Sequence, residues 1–203
     1  MVIKNYFLTK KTNSNIFTLQ TDENEYILHS DIIVKYGITK GSVVSAGNMN
    51  KYAFESEVII ATNLAIKYLS SRLKTTKQLQ TYLAKKGFSN ESINCAIQKL
   101  SEYKILDDKN YANVFTRTYQ NTKSKNYMKN KLYTDGVNKN LIDESMQNID
   151  DYYACAKAGE KYLKNKTLDK KNLQKLIAHL QYKGFEYDTI LKVFKNYKSD
   201  IED

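Results

Sequence analysis

The 203-residue sequence contains no proline and no tryptophan, and it has only two cysteines, two histidines and two arginines. Without proline, helix ends fall to glycine and to polar capping residues. Cys95 and Cys155 form no C-x-x-C pair, which excludes a zinc ribbon or a thioredoxin-type redox motif. Each lies on an apolar helical stretch, so both are expected to be reduced, buried small hydrophobes in a cytoplasmic protein. His29 follows a β-rich segment and His179 stands alone on a lysine-rich one. No H-E-x-x-H, G-x-S-x-G or phosphate-loop pattern occurs, so no catalytic, metal or cofactor-binding residues are expected, and no enzyme. Apolar runs are short, as at Val58-Ile59-Ile60-Ala61. None approaches the 18 or so residues of a membrane span, and the N-terminus has no apolar signal segment.

Charge of one sign is not scarce. The formal net charge is +10, and lysine outnumbers arginine 30 to 2. Residues 1–58 carry six lysines against six acids, while residues 59–203 carry 26 Lys and Arg against 16 acids, the whole excess. Polyanions or acidic protein surfaces are the natural partners of the second region. The alternative is a solubilising bias, since Lys, Asn, Ile and Tyr are abundant throughout, as an AT-rich genome would produce.

Three glycines recur at spacings of 49 and 48 residues: Gly87, Gly136 and Gly184. Leu83, Leu132 and Leu180 stand four residues before them, and Leu79, Met128 and Leu176 eight before. Ile93, Ile142 and Ile190 stand six after, Ile97, Met146 and Phe194 ten after, and Leu100, Ile149 and Tyr197 thirteen after. An apolar ladder ending at glycine is a helix closing on a left-handed residue, and the later ladder is the apolar face of the next helix. The chain is therefore expected to be mainly α: a tandem array of three three-helix repeats forming a curved rod. A small N-terminal segment containing a β-hairpin precedes it.

The expected divisions are a β-rich segment with a short helix at 1–49 and repeats at 50–106, 107–149 and 150–198. Strands are predicted over 2–9 and 15–29, with a turn at Asp22-Glu23-Asn24-Glu25, and a short helix over 30–36 stops at Gly37. Helices are predicted over 50–71, 75–86 and 89–104, then 108–121, 125–134 and 138–149, then 151–165, 170–182 and 187–197. Residues 199–203 are expected to fray. Thr75 with Gln78 fits a capping box, and Ser89 caps the third helix. Asp107-Asp108 and Asp150-Asp151 occupy the same place in repeats two and three, which favours helix capping over metal binding.

The middle helix of each repeat is basic. Arg72, Lys74, Lys85 and Lys86 flank the first, and Lys123, Lys125, Lys129 and Lys131 the second. Lys170, Lys171, Lys175 and Lys183 flank the third. Stacked repeats would align them into a stripe for phosphates or an acidic surface, although lysines near a helix C-terminus also complement its dipole. Charge reversal at Lys85 and Lys86, or at Lys125 and Lys129, is expected to spare stability and weaken binding. Tyr82, Tyr127, Tyr133 and Tyr182 lie near lysines and are either stacking platforms or boundary residues with a wet hydroxyl.

The run Arg72-x-x-Thr75-x-x-x-Leu79-x-x-x-Leu83-x-x-Lys86-Gly87-Phe88, with Ile105-Leu106-Asp107-Asp108-x-x-Tyr111-Ala112 after it, resembles the RecX family of RecA regulators. Arg117, Leu132 and Gly136-Val137 continue the likeness, as do Leu173, Leu180 and Lys183-Gly184-Phe185 with Ile190. The chain departs from the family at Gln78, where an acid is usual, and over Thr122–Met128, where a Gly-x-x-x-Ile run is common. The resemblance implies three tandem three-helix units and a cytoplasmic, non-enzymatic protein, expected to be a monomer. Its partner would be the RecA–DNA filament, whose ATP hydrolysis and strand exchange it restrains, with non-specific contact to DNA. A stand-alone DNA-binding protein with helix-turn-helix-like units is the alternative, and a metal-dependent nuclease at Asp107-Asp108 a distant third.

Overall fold

A computed structural model describes residues 1–8, 15–167 and 169–202, with side chains through residue 195 in the last helix. Thr9 and Asp203 lie outside the described residues, as does the side chain of Tyr197. The chain forms two compact units, Met1–Leu106 and Asp107–Asp203.

The first unit opens with an antiparallel meander of β1 (Ile3–Leu8), β2 (Ile16–Thr21) and β3 (Glu25–His29), in that order. Alternation places Ile3, Leu19 and Leu28 on the buried face. A short helix α1 (Ser30–Lys35) follows and ends before Gly37, whose φ is +58°. Helix α2 (Ala46–Leu69) begins four residues before the predicted start at residue 50. Ser45 is its cap and accepts the Asn48 amide, and the added turn buries Met49 against the sheet. Met49, Tyr52 and Ala53 join the sheet core, whereas Leu64, Ala65, Tyr68 and Leu69 join a second core around Leu79, Leu83, Ile93 and Leu100. One helix thus serves two cores, and buried Ser56 on it accepts the His29 amide that ends β3.

Helices α3 (Thr76–Lys85) and α4 (Asn90–Glu102) complete the first three-helix unit. Thr75 and Gln78 form the reciprocal capping box, as expected. Ser89 caps α4, and its amide and hydroxyl both donate to Glu57 of α2 at 2.8 Å.

The second unit contains α5 (Asp108–Tyr119), α6 (Lys125–Thr134) and α7 (Lys139–Met146) around one core. Helices α8 (Tyr152–Leu163), α9 (Lys170–Tyr182) and α10 (Tyr187–Glu202) surround another. Helix α7 is shorter than the predicted 138–149, because Asn138 is its cap and it closes after Met146. Helix α10 continues past 197 to Glu202, so the expected fraying at 199–202 is not seen. Helices of 8–13 residues are marginal alone in water. Their ladder leucines are fully buried, and each contributes roughly 1.5–3 kcal/mol on burial, so packing rather than propensity holds them.

Gly87, Gly136 and Gly184 have φ of +88°, +91° and +86°. After each, the next amide reaches back to the carbonyl of the leucine four before the glycine: Phe88 to Leu83 at 3.4 Å, Val137 to Leu132 at 3.0 Å, Phe185 to Leu180 at 3.2 Å. The glycine amide itself bonds the carbonyl three residues earlier, which completes a Schellman stop. A further stop of this kind ends α4, with Ile105 bonded to Leu100 at 2.9 Å and Lys104 at φ +55°. A left-handed lysine costs about 1–2 kcal/mol, and the neighbouring burial of Leu100 and Leu106 offsets it.

Two measurements check this account. A Cβ at Gly87 would meet nothing within 4 Å, whereas one at Gly184 would lie 2.9 Å from Ser124 Oγ. Gly87→Ala should therefore lose about 1–2 kcal/mol in denaturant titration, and Gly184→Ala distinctly more. Equal losses would show that the Ser124 contact is slack. Thr116 is buried with an unpartnered hydroxyl, so Thr116→Val should raise stability by about 1 kcal/mol, and a loss would mean the hydroxyl is satisfied.

Candidate nucleic-acid interface

The aspartate pairs have separate structural duties. Asp107 caps α5 by accepting the Asn110 amide at 2.9 Å, as expected. Asp150 accepts the Tyr152 amide at 2.9 Å. Asp151 departs from the capping expectation: it makes no cap bond to α8 and instead accepts the Lys125 amide at 2.8 Å. Buried Asp151 thus satisfies the first orphan amide of α6, binding the second three-helix unit to the third. Ser124 adds to that junction, accepting the Tyr127 amide and donating to the Lys183 carbonyl at 2.8 Å. Among the described residues, no group of three or more His, Cys, Asp or Glu is placed to hold a metal ion.

In the first unit, Tyr68 and Tyr82 stack with centroids 4.0 Å apart and planes 5° from parallel. Lys74 lies 5.0 Å from the Tyr68 centroid and Lys86 lies 5.7 Å from that of Tyr82. The tyrosine pair is therefore occupied by packing, and Tyr82 is not an open platform for a base. Arg72, Lys85 and Lys86 are exposed.

The second unit divides its lysines. Lys131 pairs with Asp135 at 2.6 Å, and this buried carboxylate also accepts the Tyr111 hydroxyl at 2.9 Å. Lys125 is half-buried, its ammonium 3.5 Å from the Ile149 carbonyl. Its expected exposure is thus corrected: charge reversal at Lys125 would disturb the Asp151 junction itself. Lys129 meets Asp143 at 3.8 Å across an exposed surface, a pair worth about 0–1 kcal/mol, so its charge stays available. Lys170, Lys171 and Lys175 are exposed on α9. The first two oppose the dipole at the helix start, and the Asp169 cap offsets them. Bonds from the Asn172 amide and then the Thr167 hydroxyl hold the Asp169 carboxyl below its ordinary range.

Lys123 and Lys183 come together at a cavity of about 560 Å³ formed by the α5–α6 link, α8 and α9. Lys157, Lys161 and Lys166 line the same cavity, and none of these three follows from the middle-helix pattern. Lys157 and Lys161 lie on the first helix of their unit, and their i,i+4 spacing was the available signal. Tyr162 packs against His179 at 4.5 Å between centroids, with the Lys166 ammonium 3.0 Å from the Tyr162 centroid. Burial, then the Lys183 and Lys166 ammoniums, hold the His179 imidazole below its ordinary pKa. Burial, with help from Asp151, pushes the Cys155 thiol up to about 12, leaving it inert as expected. Cys95, by contrast, is only half-buried, because it borders an open groove beside α1 and α2. No helix among the described residues is long and apolar enough to cross a membrane.

Comparison with known proteins agrees with this architecture. The models of the first and third three-helix domains of RecX match residues 61–100 and 150–194. Regulatory protein RecX of Clostridium perfringens strain SM101 is 33% identical over 187 residues, covering 88% of each chain. Its Bacillus subtilis counterpart is 30% identical, covering 90% of this chain and 72% of that protein. A crystal structure of a regulatory protein RecX shares the fold, with a TM-score of 0.71 at 19% identity, over 96% of this chain and 98% of that one. RecX from Lactobacillus salivarius gives a TM-score of 0.65 at 26% identity, over 70% of this chain and 97% of that one. With a third of its residues shared along nearly the whole length of a curated relative, on a fold of repeated three-helix units, this chain belongs to the RecX family of regulatory proteins.

Proposed function

We propose that this chain is a non-enzymatic regulator that binds the RecA–DNA filament in the cytoplasm and restrains its ATP hydrolysis and strand exchange. Identity of 33% to a regulatory RecX protein, covering 88% of each chain, carries the reading. The charge distribution supports it. Exposed cations lie at or beside helix ends in both units, at Arg72, Lys85 and Lys86 in one and Lys170 and Lys171 in the other, with exposed Lys175 further along α9, where phosphates or an acidic filament surface can meet them. Base-specific recognition needs Arg, Asn or Gln aimed into a groove. The two arginines, Arg72 and Arg117, lie beyond α2 and in the last turn of α5, which weighs against a helix-turn-helix reader.

Purified protein added below the concentration of RecA should lower its ATPase on single-stranded DNA; an unchanged rate at equal concentrations would sink the proposal. Lys85→Glu/Lys86→Glu should weaken this inhibition while moving the melting temperature by no more than about 2 °C, because both side chains are exposed. A large fall in melting temperature would make these lysines structural instead.

A further inference from the structure

The lysine-lined cavity of the second unit does not stand alone. A second cavity of about 430 Å³ shares its Lys123 and Lys183 walls and is completed by Tyr127, Tyr182 and Phe185. No carboxylate lines either one. Among the described residues, none of Lys123, Lys157, Lys161, Lys166 and Lys183 pairs with an acid. Five ammoniums around one cavity repel one another, so an entering anion relieves repulsion besides gaining attraction. In a chain with 22 acids, a lining whose charged side chains are all lysines is a selective arrangement. The adjoining tyrosines differ from Tyr82, which is stacked on Tyr68. Tyr182 is 92% exposed and Tyr127 43%, with the Lys123 ammonium 4.9 Å from the Tyr127 centroid.

We infer that the two cavities form one nucleotide site, taking a phosphate among the lysines and the neighbouring base against Tyr127 and Tyr182, with the nucleotide belonging to a single strand of nucleic acid. A single strand has a continuous row of phosphates and unpaired bases whose faces can stack, and this site pairs a cationic hollow with an aromatic wall at that scale. A duplex keeps its bases stacked inside and offers the tyrosines nothing. The lysines set affinity through the phosphate, and the tyrosines distinguish single-stranded from paired substrate. His179, which lines the same cavity and packs against Tyr162, reports on the filled site because a phosphate beside it favours its charged form. The inference deepens the reading above by naming a DNA contact, and it is tested without RecA so that the two can fail separately.

The test follows binding of a thymidine oligonucleotide and of an abasic strand of equal length to the full chain, by fluorescence anisotropy against salt and by the imidazole proton resonances. His29, in the first unit, is the internal control. The thymidine strand should move the His179 resonance saturably and leave His29 in place. Lys157→Gln/Lys161→Gln, at two exposed positions, should weaken both strands and lower the salt slope by about 1. Tyr182→Ala should weaken the thymidine strand about fivefold or more and leave the abasic strand unchanged. No shift at His179 with either strand overturns the site. Equal loss of both strands in Tyr182→Ala overturns the stacking role, and a shift produced by thymidine triphosphate but not by the strand overturns the assignment to a strand.

Discussion

The three-helix units depend on a single backbone constraint. A short helix must stop within one residue and release the chain toward the next helix while its last leucine stays in the core. At Leu83, Leu132 and Leu180 one residue meets both demands, burying its side chain and giving its carbonyl to the amide just past the glycine. The left-handed conformation between them is open to glycine at little cost and to most other residues only at about 1–2 kcal/mol. Fixing that stop fixes where the following helix begins, and hence which of its faces reaches the leucine. The buried isoleucines six residues after each glycine are the consequence.

The stops also shape the basic surface. A Schellman ending leaves the carbonyl end of the helix pointing outward, and Lys86 and Lys183 sit at that end where a cation is favoured. At Gly184 the arrangement is reused for assembly: the Lys183 carbonyl takes the Ser124 hydroxyl while Asp151 takes the Lys125 amide. That junction draws the α5–α6 link against α8 and α9, so Lys123 meets lysines from the third unit around one cavity. A regulator of this kind needs no catalytic group. Within each unit the core fixes which helix faces, and so which lysines, remain at the surface.

Much of this was legible in the sequence, for physical reasons. Glycine spacing with apolar ladders reports helix stops and buried faces directly, so the repeats, the Thr75–Gln78 box and the Ser89 cap could all be read in advance. The stop at Lys104 was hidden because a lysine bears the left-handed strain there and no glycine marks it. The early start of α2 was hidden because Met49 answers to the sheet core rather than to the repeat, with Ser45 as the cap of the added turn. Asp151 looked like a cap by analogy with Asp107, yet its carboxylate is drawn to the orphan amide of another helix, a long-range pairing that local pattern does not encode. The lysine cavity was half legible. Lys123 and Lys183 belong to the repeating basic pattern, whereas Lys157, Lys161 and Lys166 join them only through the packing of the α5–α6 link on α8 and α9.

Co-sedimentation of this chain with RecA assembled on single-stranded DNA tests the central claim most directly. The account predicts that the protein pellets with the filament, saturably and less at high salt, and stays in solution with RecA alone. A chain that stays in the supernatant at every ratio of protein to filament would contradict it.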